Sequence, residues 1–160
     1  MVEISCRPAV MADIDLLYNW VNESAVRRNS FNSDIIPYSE HKKWFDNCLS
    51  DKNCEIYIFY LSDIPLGQVR LNYSDGNALI DYSIDQKYRG QGYGKIIIRE
   101  ICETVRKKHP EISYMVGEVK FDNIASQKVF EDNDYRLTSN DNGVFRYCKD
   151  LNEVYDTATD

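Results

Sequence analysis

The stretch Ile84-Asp85-Gln86-Lys87-Tyr88-Arg89-Gly90-Gln91-Gly92-Tyr93-Gly94-Lys95 decides the fold of this 160-residue chain. A β-rich run over 78–84 leads into it, and a segment with apolar residues at helical spacing over 96–107 leads out of it. Three glycines at alternate positions allow several backbone N–H groups to point the same way, at the positive end of a helix dipole. The turn is therefore typical of an anion site, most often a site for phosphate.

Two common phosphate motifs do not fit this spacing. A P-loop requires a glycine five residues before the final Gly-Lys pair and a Ser or Thr after the lysine, where this chain has Arg89 and Ile96. A dinucleotide-binding G-x-G-x-x-G requires a third glycine at the position of Lys95. The alternative is a glycine-rich helix start that binds no ligand.

The pattern Arg-x-x-Gly-x-Gly, formed by Arg89, Gly92 and Gly94, resembles the acyl-CoA pyrophosphate motif of the GNAT-type N-acetyltransferases. The resemblance implies acetyl-CoA as a co-substrate and no metal. It implies that backbone N–H groups and the Arg89 side chain hold the pyrophosphate, and that the end of the preceding strand aligns the pantetheine arm like an added strand. The implied cofactor residues are Tyr82, Ser83, Ile84, Arg89, Gly90, Gln91, Gly92, Tyr93, Gly94 and Lys95.

The order of predicted elements agrees with this resemblance. Periodicity and turn signals predict strands at 3–7, 55–61, 66–73, 78–84, 114–119, 135–137 and 144–148, and helices at 13–21, from Ser39, at 96–107 and at 123–133. We expect an α/β (α+β) GNAT fold, with a mixed, mostly antiparallel sheet of six to seven strands flanked by four helices. Residues 1–151 form one domain in this prediction, and 152–160 form an acidic, flexible tail.

Composition narrows the functional class. The net charge of −7 argues against nucleic acid and acidic membranes as partners. Five scattered cysteines without a C-x-x-C pair predict reduced thiols, no disulfide and no zinc, in a cytoplasmic protein without a signal peptide. The expected partner is a small-molecule amine, and a homodimer is left open.

The segment from Gly117 to Phe130 carries a second resemblance, to ribosomal-protein-type and amino-sugar N-acetyltransferases. It implies that Glu118 is the base, acting through water, and that Asn123 contacts the pantetheine arm. The alternative for Glu118 is a solvated carboxylate at a strand edge. Phe130 stands where these families carry a tyrosine acid, and it cannot donate a proton. We therefore expect the thiolate to leave unaided, although another hydroxyl could substitute, and we expect Phe130 to line the cofactor site.

Residues 19–45 resemble the N-terminal half of the amino-sugar N-acetyltransferases of pseudaminic acid biosynthesis, which implies the 4-amino group of a UDP-linked amino-deoxy sugar as acceptor. Arginines would bind the diphosphate and aromatic rings would stack on the planar rings. Asp81 is either a rival base or, as we favour, a cross-strand partner of Arg70. The alternatives are a peptide N-terminal acetyltransferase or a non-catalytic acyl-CoA sensor. The candidate substrate residues are Arg27, Arg28, Phe31, His41, Arg70 and Asp81.

Overall fold

A computed structural model describes residues 3–153 of the chain. The predicted tail over 152–160 therefore lies mostly outside the described residues. No helix in the described part is long and apolar enough to cross a membrane. The strands are β1 (Ile4–Pro8), β2 (Cys54–Leu61), β3 (Ile64–Ser74), β4 (Asn77–Ile84), β5 (Tyr114–Lys120), β6 (Arg136–Asp141) and β7 (Val144–Asp150). The α-helices are α1 (Ile14–Val21), α2 (Ser24–Asn29), α3 (Tyr38–Ser50), α4 (Tyr93–Lys108) and α5 (Ile124–Asp132).

All seven strands form one sheet in the order β1-β2-β3-β4-β5-β7-β6. The pairing is antiparallel except between β4 and β5, which run parallel. The hairpin between β3 and β4 turns at Asp75 and Gly76, both with positive φ, as the twist of a two-residue hairpin requires. The predicted fold class, with a mixed and mostly antiparallel sheet, is confirmed.

The two faces of the sheet are covered to different extents. On one face, α4 and α5 bury an apolar core that includes Ile97, Ile101 and Phe130. On the other face, α1 and α3 pack mainly on β2, where Phe45 and Ile58 are fully buried. The helices of this second face therefore cover the β2 side of the sheet. The same face of β4, β5 and β7 carries polar side chains near the C-terminal ends of β4 and β5, namely Asp81, Ser83, Glu118, Lys120 and Arg146, and apolar ones farther away, such as Leu79 and Val116.

Three local predictions are wrong. The segment 22–38, expected to be irregular, contains the short helix α2, whose first turn is capped by the Glu23 carboxylate accepting from the Val26 N–H. Ser39 lies inside α3, and Pro37 takes the N-cap position. Cys48 and Cys54 form a disulfide, with Cα atoms 5.5 Å apart, because the tight connection between α3 and β2 brings them together. Spacing in the sequence gave no sign of this pair.

Candidate active site

The parallel strands β4 and β5 separate after a short stretch of pairing. The pairing runs from Asn77 opposite Tyr114 to Ile80 opposite Gly117, and no pair is formed beyond that point. β4 nevertheless continues to Ile84 and β5 to Lys120. A gap therefore opens between two neighbouring strands in the middle of the sheet, and its β4 side leads directly into the glycine turn.

The backbone groups that face this gap follow from the antiparallel ladder between β3 and β4. The Asp85 N–H donates to the Leu66 carbonyl at 2.8 Å, and the Ser83 carbonyl lies close against Gly67. Because successive residues of a strand direct their N–H and C=O groups to opposite sides, the backbone of Tyr82 and Ile84 points into the gap. Ser83, which we predicted to align the pantetheine arm, turns its backbone towards β3 instead.

The glycine turn presents unpaired donors at the start of α4. Gly90 and Gly92 have φ of 74° and 86°, in the left-handed region that only glycine adopts freely. Gly92 is the N-cap of α4 and supplies no side-chain cap, so the first N–H groups of a 16-residue helix have no partner of their own. This arrangement suits an anion that bears several oxygens.

The Arg89 side chain makes its hydrogen bonds to other residues of the protein and does not point towards this anion site. Its Nε donates to the Ile84 carbonyl at 3.0 Å, and its Nη2 donates to the Glu23 carboxylate at 2.8 Å. The hydrogen bond from Arg89 lowers the pKa of Glu23 to about 2. The ion pair thus joins the start of α2 to the glycine turn, and the Arg89 guanidinium is already neutralised by Glu23.

A cavity of about 230 Å³ borders this ion pair. Asn19 and Trp20 of α1 line one side, and residues 83–87 at the end of β4 line the other. The Trp20 indole N–H donates to the Asp85 carboxylate at 2.9 Å, which fixes α1 against the turn. The cavity therefore lies between the glycine turn and the helices of the second face.

Polar side chains meet on the second face beside the gap. Alternation along β5 buries Val119 and exposes Glu118, and the register places Glu118 directly opposite Arg146 of β7. The Arg146 Nη1 donates to the Glu118 Oε1 at 2.7 Å. Ser83 and Asp81 of β4 lie on the same face, across the gap from Glu118. A carboxylate thus stands on either side of the opening, and that of Glu118 is paired with Arg146.

The acetyltransferase (GNAT) domain family matches residues 4–136, most of the chain. The chain belongs to the GNAT acetyltransferase family. No curated protein sequence matches it. Among solved structures, the fold is similar to a Vibrio cholerae spermidine N-acetyltransferase in complex with CoA and spermine, with a TM-score of 0.82 and 14% identity over 92% of this chain and 95% of that one.

Two further structures have the same fold. RimL, a ribosomal L7/L12 alpha-N-protein acetyltransferase in complex with CoA, matches with a TM-score of 0.80 and 18% identity over 92% of this chain and 94% of that one. The aminoglycoside acetyltransferase AAC(6')-Ib, in complex with ribostamycin and CoA, matches with a TM-score of 0.81 and 16% identity over 92% and 93%. The predicted superfamily, and with it the prediction of an acetyl-CoA-dependent N-acetyltransferase, is confirmed at the level of the family.

The GNAT site has the features that acetyl-CoA requires. The free donors at the start of α4 suit a pyrophosphate, and the open edge of β4 suits an extended arm with amide groups. The Tyr82 N–H and C=O and the Ile84 N–H face the gap, while Arg89 already occupies the Ile84 carbonyl. Asn123 caps α5 by accepting from the Ser126 N–H at 3.2 Å, which leaves its amide N–H₂ as a donor.

Phe130 does not line this site, contrary to our prediction. It is 1% exposed, because its ring packs against Gly117 and contacts the rings of Tyr82, Tyr135 and Tyr147. The hydroxyl beside it belongs to Tyr82, which donates to the Ser126 Oγ at 3.0 Å. Burial raises the pKa of Tyr82 to about 12, so its hydroxyl keeps its proton at neutral pH.

Two of the predicted substrate residues are buried in the second-face helices and their loop. Arg27 donates to the carbonyls of Val21, Asn32 and Asp34 and to the Ser30 hydroxyl, and therefore holds the loop after α2. His41, expected at the surface, is only 2% exposed. It stacks among aromatic rings near the Ile14 carbonyl, and burial lowers its pKa. The predicted roles of Arg27 and His41 in binding substrate are not supported by these positions.

The other four candidates lie at or near the polar face. Phe31 is 61% exposed, on the loop after α2. The Arg28 carbonyl accepts from the Lys120 Nζ at 3.0 Å, which ties the end of α2 to the end of β5. Arg70 lies opposite Asp81 in the register, but its guanidinium sits over the Trp44 ring, 5.3 Å from the centroid. Asp81 accepts instead from Gln68, at 3.4 Å.

Sequence reasoning missed Glu23, Ser126 and Arg146. Alternation over 144–148 does place Arg146 on the opposite face from Tyr147, so its exposure was predictable. The ion pair of Arg146 with Glu118 was not predictable, because the register that sets these residues opposite each other depends on how β7 inserts between β5 and β6.

Proposed function

We propose that this protein transfers an acetyl group from acetyl-CoA to a primary amine, and that the acceptor is the amino group of a nucleotide-linked amino-deoxy sugar. The observation that carries the transferase part is the gap between β4 and β5, with free backbone groups on one side and unpaired helix donors at its end. Positioning of two reactants in such a gap supplies about 7–11 kcal/mol of the barrier.

In this proposal the backbone groups of Tyr82 and Ile84 hold the pantetheine arm, and one of their N–H groups polarises the thioester carbonyl. Glu118 takes a proton from the acceptor ammonium. The amine lone pair then forms the C–N bond, and the C–S bond breaks with its electron pair on sulfur. The new amide nitrogen releases its second proton to water, and the thiolate takes a proton from water. The Tyr82 hydroxyl is already engaged with Ser126, which is consistent with a thiolate that leaves unaided.

The charge of the polar face supports an acceptor that is not a polycation. Beside the gap, the strand residues on this face include the cations Lys120 and Arg146 against the carboxylates Asp81 and Glu118, and Arg70 lies on the neighbouring strand β3. Asp150 lies on the same face but at the far end of β7, opposite Tyr114. A spermine-like or aminoglycoside-like acceptor would be repelled by this set, whereas an amine that carries phosphate would be attracted. The exposed ring of Phe31 is available for stacking on a base or sugar.

The test is thiol release from acetyl-CoA, with a UDP-linked 4-amino-4,6-dideoxy sugar compared with spermidine, an aminoglycoside and a basic peptide. We expect turnover on the sugar nucleotide and little on the others. Preferential turnover on the peptide or the polyamine would refute the proposed acceptor. Bound acetyl-CoA without turnover on any amine would refute the enzymatic proposal and favour a sensor.

The base is tested by the Glu118→Gln variant, with Glu103→Gln on α4 as a control for loss of an exposed, arginine-paired carboxylate. We expect Glu118→Gln to lower kcat at neutral pH by roughly 10²–10⁴-fold. The control should leave it unchanged. Full turnover in Glu118→Gln would exclude Glu118 as the base and direct attention to Asp81.

A further inference from the structure

We propose that Arg146 determines acceptor specificity: it binds an anionic group of the acceptor, and this contact releases Glu118 from its ion pair so that Glu118 can receive the amine proton. This inference rests on the proposed function and deepens it, because it assigns a residue and a chemical requirement to the acceptor side of the same site. The ligand chemistry is a phosphate group joined to the amine-bearing moiety.

The geometry of the pair is the first argument. Glu118 and Arg146 are directly opposed on neighbouring strands, with the Arg146 Nη1 at 2.7 Å from the Glu118 Oε1. Their side chains are 34% and 38% exposed, so both groups remain open to a ligand from the polar face. This contact uses one of the five N–H donors of the guanidinium. The remaining donors form a fork that matches phosphate oxygens.

The second argument is that Arg146 is the arginine beside the proposed base, whereas other arginines of the site are held elsewhere. Arg27 is buried against loop carbonyls, and Arg89 is held by Glu23 and the Ile84 carbonyl. Arg70 lies on the Trp44 ring. The sequence suggested Arg27, Arg28 and Arg70 as ligands of a diphosphate. Arg28 is exposed on α2, but the guanidinium directly opposite the proposed base is that of Arg146. Lys120, two residues after Glu118 on the same side of β5, adds a second cation.

The third argument concerns the base itself. β7 flanks β5 on the side away from β4, so the contact with Arg146 directs the Glu118 carboxylate towards β7 and away from the gap. A phosphate offers the guanidinium a bidentate, charge-assisted contact in place of the single one that it makes with Glu118. The carboxylate is then free to turn towards the gap and accept the ammonium proton, and the C–N and C–S bonds form and break as described above. An amine without an anionic group leaves the ion pair closed.

The kinetic test compares two acceptors that differ only in the anion: the UDP-linked amino sugar and the methyl glycoside of the same sugar. We expect Arg146→Gln to lower the ratio of their kcat/KM values at least tenfold, through a higher KM for the nucleotide-linked acceptor. Arg146→Lys should recover part of this ratio. Arg106→Gln is the matched control, because Arg106 on α4 forms a 2.6 Å pair with Glu103 on the opposite side of the sheet. It should leave the ratio unchanged.

An equal loss on both acceptors would show that Arg146 only supports the strands, and an unchanged ratio would show that it contacts no anion. Either result would overturn the inference while leaving acetyl transfer intact. A second measurement needs no turnover: calorimetric binding of UDP to the CoA-saturated protein. We expect binding that weakens at least tenfold in Arg146→Gln. No binding by the wild type, or equal binding by both proteins, would refute the proposal, even if the amino-sugar acceptor itself proved wrong.

Discussion

Substitution of Gly117 by alanine tests how the gap is built. Gly117 is the last residue of β5 that pairs with β4, and the Phe130 ring lies against it. A Cβ added at Gly117 would stand 2.3, 2.5 and 2.8 Å from three atoms of this ring. Ordinary carbon contacts are about 3.5–4.0 Å, so the ring would have to move by roughly 1 Å.

The surrounding packing leaves no direction for this movement. Phe130 is 1% exposed, stacks on Tyr147 at 5.8 Å between ring centroids, and meets Tyr135 and Tyr82 edge-on at 5.0 and 6.0 Å. Overpacking of a well-packed core costs about 1–3 kcal/mol. For a domain of this size, each kcal/mol corresponds to roughly 2–4 °C in Tm. We therefore expect Gly117→Ala to lower Tm by roughly 2–12 °C.

The assay is urea unfolding of the wild type, Gly117→Ala, Phe130→Ala and the double variant. Phe130→Ala alone should cost about 3–5 kcal/mol, because it empties a filled core position. In the double variant the new methyl group occupies space left by the ring, so the two costs should fall short of their sum by about 1–3 kcal/mol. Additive costs, or an unchanged free energy of unfolding in Gly117→Ala, would refute the contact on which this reasoning depends.

Three further predictions concern the glycine turn and the groups beside it. Gly92→Val should weaken acetyl-CoA binding at least tenfold in calorimetry, because φ of 86° excludes a β-branched residue. The control is Gly76→Val in the distant hairpin turn, which should reduce stability and leave the affinity for acetyl-CoA unchanged. The hydrogen bond from Arg89 lowers the pKa of Glu23 from 4.5 to about 2, so the contribution of Glu23 to stability is present above about pH 4.5 and is lost as the pH falls towards 2. In Glu23→Gln, this loss should disappear from the pH profile of the free energy of unfolding. Identical profiles for the variant and the wild type would exclude the ion pair. Tyr82→Phe should retain kcat within about threefold at neutral pH. It should lose about 1 kcal/mol of stability, because the hydrogen bond to Ser126 is lost. A hundredfold loss of kcat would instead identify Tyr82 as the acid that protonates the thiolate.

The sequence predicted correctly those features of the fold that depend on neighbouring residues. Alternation along 66–73 predicted which side chains of β3 are buried, and the three alternate glycines predicted a turn with free N–H groups at the start of α4. The segment over 78–84 pairs antiparallel with β3, as its hairpin signal indicated. Each of these features depends on residues within a dozen positions of one another.

The sequence did not predict the role of a charged side chain where that role depends on a contact with a distant residue. Arg27 was a candidate ligand of substrate, but its guanidinium donates to the carbonyls of Asn32 and Asp34 in the loop after α2. His41 looked exposed between two charged neighbours, yet the helix turns its ring inward. Arg89 and Glu23 are 66 positions apart, and Arg146 and Glu118 are 28 apart, so neither ion pair leaves a local signal.

These long-range contacts also connect the two halves of the site. The Arg89–Glu23 pair joins the glycine turn to the first turn of α2, and the Lys120 Nζ joins the last turn of α2 to the end of β5. α2 therefore spans from the cofactor side of the gap to the face from which an acceptor would approach. Because the same Arg89 side chain also donates to the Ile84 carbonyl at the mouth of the gap, α2 is connected to both β4 and β5. In the Arg-x-x-Gly-x-Gly motif of this chain, the glycines leave free N–H groups at the start of α4, and the arginine braces the turn against α2.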